Sequence, residues 1–93
     1  MDKWKIEKIS RSLSDVSRIS ILKKFKTKKG CVYCSEINEM PELKLTQPAV
    51  SHHLKQLVDA YLLISEKEGR ILKYSLNQKV LNDYIDFLNA LKD

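Results

Sequence analysis

Two thiols, two imidazoles and a run of polar side chains are the groups in this chain whose types and spacing could do chemistry. Cys31 and Cys34 are its only cysteines and sit two residues apart in GCVYCSEI. Three readings of the pair stay open. A dithiol at this spacing is expected to close an internal disulfide with little backbone change. A helix start at Cys34 and lysines at 26, 28 and 29 favour the reactive thiolate, so the pair would sense oxidants or reactive sulfur species. Two thiolates also suit a soft metal or arsenite, although alone they leave a tetrahedral ion half-coordinated. In the third reading both are small, inert hydrophobes.

The adjacent His52 and His53 are poor candidates for one metal ion, because neighbours on a helix diverge by about 100°. His53 falls at the edge of the stripe made by Val50 and Leu57, the place of a partly buried structural imidazole; His52 points outward. Around them Thr46, Gln47, Pro48, Ala49, Ser51, His52, Lys55 and Gln56 form a face suited to DNA. Gln47 can pair bidentately with adenine, and the Ala49 methyl can pack on a thymine methyl. Ser51, His52 and Gln56 can donate to bases or phosphates, and Thr46 with nearby N–H groups suits a phosphate. Lys44, Arg70 and Lys73 are further phosphate candidates. Lys67 and Lys79 read as a solvent-facing charge.

The elements that position these groups follow from hydrophobic period. The 93 residues make one domain, 1–93, with 43% hydrophobic and 31% charged residues. Net charge is +5, which favours a polyanionic partner. No apolar run approaches the roughly 18 residues of a membrane span. The charged N-terminus lacks a signal region, so a cytoplasmic location with no membrane partner is expected. Helices are expected over about 3–13, from Ser14 or Asp15 through KTKKG at 26–30, over about 35–40, and over 46–60 with Thr46 as cap. In the second, Val16, Ile19, Leu22 and Phe25 are expected to face inward. In the fourth, Val50, Leu54, Leu57 and Tyr61 are. Alternation then marks a hairpin at 63–76 turning at Glu68-Gly69, and a helix closes the chain at 78–92.

The fold class is therefore mainly α with a β-hairpin wing, ordered α-α-α-α-β-β-α: a winged helix-turn-helix. The last helix carries two apolar stripes, wider than one small core needs. A dimer through the first and last helices would cover Trp4, Ile9, Val80, Tyr84, Phe87, Leu88 and Leu91. The alternative is a monomer whose first and last helices bury each other.

Three stretches resemble the ArsR/SmtB family of winged-helix repressors. LSDVSRI at 13–19 is similar to the family's Leu-Ala-Asp-Pro-Thr-Arg segment, keeping Asp15 and Arg18. LTQPAVSHHLKQL at 45–57 is similar to its recognition helix, and Glu68-Gly69-Arg70 with Tyr74 to its wing. The resemblance implies a homodimeric repressor that reads an inverted-repeat operator in double-stranded DNA and is released by a ligand, metal or oxidant. CVYCSEI at 31–37 lies where thiol-sensing members carry Cys-Val-Cys-Asp/Glu-Leu, with one extra residue between the cysteines. The last helix has Asp83 and Asp86 but no histidine, unlike members that bind zinc there. The expected function is thus a DNA-binding repressor released by an oxidant, reactive sulfur, arsenite or soft metal at Cys31 and Cys34. No other cofactor is expected. The alternatives are a regulator without thiol sensing and a protein–protein module. An enzyme is not expected, since a catalytic Cys-X-X-Cys follows a strand in sheet-based folds.

Overall fold

Four of the five helices begin at a short polar side chain that accepts from the backbone, as helix starts require. Asp2 Oδ1 accepts from Lys5 N at 2.8 Å and opens α1, Lys3–Ser12. Asp15 Oδ1 accepts from Ser17 N and Arg18 N and opens α2, Val16–Thr27. Thr46 opens α4, Gln47–Asp59, and Asn77 opens α5, Gln78–Ala90. Between α2 and α4 lie β1, Val32–Tyr33, and the short α3, Cys34–Asn38. The wing is β2, Leu63–Glu68, and β3, Ile71–Leu76. This computed structural model describes residues 1–27, 31–41 and 43–92; the expected end of α2 in KTKKG falls partly outside them.

The wing turns through Gly69 and Arg70. Gly69 has φ +65°, a left-handed conformation that glycine adopts without steric cost at the first central position of a two-residue hairpin. The sheet has three antiparallel strands in the order β1-β3-β2. Strand β1 was not legible in the sequence, because two residues are too few to show alternation. Its pairing, Val32 with Tyr74 and Tyr33 with Lys73, joins the cysteine segment to the wing.

The core gathers Ile9 of α1, Ile21 and Phe25 of α2, Val32, Ile37, and Val50, Leu54 and Leu57 of α4, closed by Leu62, Leu63, Tyr74 and Val80. Two expectations fail here. Val16 and Ile19 are exposed, at 81% and 42%, while Ile21 takes the inward place. The i, i+3 line drifts: nine residues at about 100° each leave Val16 and Phe25 half a turn apart. Tyr61 is also outside the core, 48% exposed. Helix α4 has already ended: Leu62 N donates to Leu57 O and Tyr61 N to Val58 O, with Tyr61 at φ +65°. That is a Schellman stop, which reverses the chain into β2 and sends Leu62 inward in place of Tyr61.

Ile9 and Val80, expected at a dimer seam, are 0% and 6% exposed in the chain's own core and have no surface to offer a second copy. Tyr84 is half-buried, its hydroxyl 2.9 Å from Ser10 Oγ, and Phe87 lies beside it. Trp4, Leu88 and Leu91 are exposed, together with Ile85.

Candidate nucleic-acid interface

Helix α4 buries Val50, Leu54 and Leu57 completely, which turns the rest of its surface outward. Gln47, Pro48, Ser51, His52, Lys55 and Gln56 are exposed, and Ala49 is half-covered. Thr46 Oγ1 accepts from Ala49 N at 3.3 Å, which leaves its hydroxyl proton for an outside acceptor. Lys44 is exposed just before the helix, with φ 48°. These groups lie on one end and one face of a single rigid helix, as major-groove reading requires.

What holds that helix is Arg18. Its Nε donates to Ser12 O at 2.7 Å and its Nη2 reaches Arg11 O at 3.4 Å. Its Nη1 lies 3.2 Å from His53 Nδ1. One guanidinium therefore fastens the end of α1 and the start of α2 to the middle of α4. His53 is partly buried and structural, as its place beside the apolar stripe predicts. Asp15 completes the cluster. The backbone N–H of Arg18 holds its carboxyl below the usual carboxylate range; burial opposes this, and the charges of His53 and Arg18 reinforce it.

On the wing, Arg70 is exposed at the turn. Lys73 is placed differently from the expectation of a free phosphate contact: its Nζ lies 3.3 Å from Glu68 Oε2. The Glu68 hydrogen bond pushes the Lys73 pKa up, with smaller contributions from the charges of Glu68, Cys31 and Glu66. A lysine on the next strand satisfies a glutamate here, so its charge is partly spent within the protein.

Cys31 and Cys34 are free and half-buried. The expectation of easy disulfide closure fails. Both intervening residues are extended in β1, which puts the two Cα atoms about 10 Å apart, at roughly 3.3 Å per residue. A disulfide tolerates a Cα separation of at most about 7 Å. Their surroundings differ as well. Cys31 acts on Lys73, whereas Cys34 lies near Tyr74, whose pKa is raised by burial first and by Cys34 second. Lys73 and Tyr74 are consecutive in β3 and face opposite sides. Cys34 Sγ also accepts from Asn38 Nδ2 at 3.8 Å. The two thiols in this arrangement do not fit one shared metal ion. Among the described residues no group of three or more His, Cys, Asp or Glu side chains is placed to hold one.

A short helix leading into an exposed polar helix, followed by a hairpin, defines a winged helix-turn-helix protein. The sequence profile described as bacterial regulatory protein, arsR family, matches residues 15–65. The chain is 35% identical over 86 residues to the arsenical resistance operon repressor of Staphylococcus aureus, covering 89% of this chain and 76% of that protein. It is 31% identical over 80 residues to the transcriptional repressor SdpR of Bacillus subtilis (strain 168), covering 86% and 84%. In fold it matches an ArsR family transcriptional regulator, RHA00566, with TM-score 0.84 at 17% identity, covering 99% of this chain and 91% of that one. HlyU from Vibrio cholerae N16961 matches with TM-score 0.70 at 24% identity, covering 98% and 97%. The chain belongs to the ArsR family of transcriptional regulators, and it is a DNA-binding repressor rather than an enzyme. Among the described residues no helix is long and apolar enough to cross a membrane.

Proposed function

We propose that this repressor acts in the cytoplasm as a homodimer on an inverted-repeat operator and is released by a thiol-directed signal at Cys31 and Cys34. The exposed apolar side chains of α5 and of Trp4 support the dimer, because a two-fold seam through α1 and α5 would cover both patches. It would also set two copies of α4 on one side of the assembly, where paired major-groove contacts need them.

The observation that carries the sensing half is the pairing of β1 with β3. The cysteines bracket the strand that fastens the α3 segment to the wing. Oxidation to a disulfide removes two protons and two electrons, which pass to a hydroperoxide or a small-molecule disulfide. Closing the bond from about 10 Å to under 7 Å requires β1 to leave its extended form, and so to give up its bonds to β3. The wing then loses a neighbour and α3 loses its anchor. Arsenite or a soft metal bridging both sulfurs would demand the same shortening. Signal and DNA surface are thereby coupled through one short strand.

The test is fluorescence anisotropy of the reduced and oxidised protein on its own upstream DNA, with free thiols counted in each state. Reduced protein is expected to bind at least tenfold more tightly, and Cys31→Ser is expected to abolish the difference. Equal binding by both states, with thiols verified as oxidised, overturns thiol release and leaves a regulator without thiol sensing. Equal affinity for operator and random duplex overturns the operator reading.

A further inference from the structure

The two faces of the wing carry different charges, and strand register assigns every residue to one of them. Paired residues of an antiparallel ladder share a face, and faces alternate along a strand. Ser65 pairs with Tyr74 and Lys67 with Leu72. Tyr74 and Leu72 line a groove of about 270 Å³ whose opposite wall is Ser51, Lys55 and Val58 of α4. Ser65 and Lys67 therefore lie on the side of the wing that looks toward the recognition helix. Glu66, Glu68 and Lys73 lie on the other side, since Glu66 pairs with Lys73 and Glu68 with Ile71.

The balance of charge follows. The side facing α4 carries Lys67, opposite a helix that carries Lys55, with no carboxylate on that face of the ladder. The far side has two carboxylates against one lysine, and that lysine is 3.3 Å from Glu68. A phosphodiester carries one negative charge and accepts hydrogen bonds only. It is attracted to the first side and repelled by the second.

We infer that the groove between α4 and β2 seats a phosphate of the DNA backbone, held by Lys67 and Lys55 with the Ser51 and Ser65 hydroxyls, and that Lys73 makes no phosphate contact. This rests on the DNA-binding reading of the chain and names the wing residue that reading requires. Lys67 reads in the sequence as one more solvent-facing lysine; only the register separates it from Lys73. The floor of the groove is Tyr74, which is buried, and Leu72, which is 37% exposed, and Lys67 stands at the rim as the ladder partner of Leu72, across the groove from Lys55.

The test is the salt dependence of duplex binding by the full chain, measured by anisotropy from about 50 to 300 mM salt. Each phosphate contact contributes roughly 0.9 to the slope of log affinity against log salt. Lys67→Gln is expected to weaken binding several-fold at the lowest salt and to reduce the slope by about one per protomer. The double variant Glu68→Gln with Lys73→Gln leaves net charge unchanged, and is expected to leave the slope unchanged. Its melting curve reports whether the wing has held. A Lys67→Gln protein with the wild-type slope, or a double variant that loses slope while staying folded, overturns the assignment. A wild-type chain whose duplex binding ignores salt would instead sink the DNA reading beneath it.

Discussion

Helices α4 and α5 are each 13 residues long and each carries an apolar stripe, yet their stripes meet different fates. In α4 Val50, Leu54 and Leu57 are at most 1% exposed. In α5 only Val80 is buried, at 6%, while Ile85, Leu88 and the capping Leu91 stay 43%, 44% and 68% exposed. The first helix is finished within one chain. The second has its first turn docked and Leu81 and Tyr84 half-covered, and leaves a second apolar line facing outward. The difference separates two kinds of stability: α4 is fixed by folding within one chain, whereas the proposed dimer would fix the outer face of α5 by association.

That contrast can be broken most forcefully at Leu88. In a two-fold seam each substitution acts twice. Leu88→Glu is expected to cost about 3–6 kcal/mol of dimer free energy by removing two buried leucines from the interface. Sedimentation equilibrium would then show monomer at concentrations where the wild type is dimeric. An unchanged association state would mean that α5 covers itself in some other way. Leu54→Ala tests the other side. It should lower unfolding stability by about 2–5 kcal/mol through lost burial and a residual cavity. Unlike the Leu88 effect, that loss should persist on dilution, as chemical denaturation at two protein concentrations would show.

Arg18 sharpens the comparison, because it fixes α4 by polar contacts where α5 has few. Arg18→Ala should destabilise the fold by roughly 1.5–3 kcal/mol, since it strips donors from the carbonyls of Ser12 and Arg11 and from His53. Duplex affinity should fall with it, because Arg18 holds the middle of α4 through His53. Arg18→Lys should rescue little, because one ammonium cannot reach three partners set in a fork.

The smallest effect is the dependence on pH. The folded-state pKa of Asp15 is depressed by the Arg18 N–H and the neighbouring cations. Its contribution is therefore present above the unfolded carboxylate range, and is lost as pH falls through the lower folded value. Asp15→Asn keeps the cap acceptor and removes the titration. The stability gap between wild type and this variant should be open at pH 6 and close below about pH 4. A gap that stays constant across that range would show that the charge of Asp15 contributes nothing.

Much of this molecule was determined by local sequence. Asp15 and Thr46 announce helix starts because their side chains satisfy backbone donors within three residues. Gly69 announces the wing because the turn needs φ above zero. The stripe of Val50, Leu54 and Leu57 defines the outer face of the recognition helix by simple periodicity. Where that logic failed, the reason was either helix geometry that a simple ruler misses or a contact far along the chain. Val16 and Ile19 look inward on a three-residue ruler, but the helix packs through Ile21 and Phe25. Tyr61 looks like a further turn of α4 until the Schellman stop diverts it. The two thiols look ready to join because Cys-X-X-Cys is short in sequence. Pairing with β3, forty residues on, stretches that spacing beyond the reach of a disulfide. Lys67 and Lys73 are indistinguishable as letters. Strand register, which no single strand contains, puts one on the wing face that looks toward the recognition helix and the other on the face of the glutamate it pairs with.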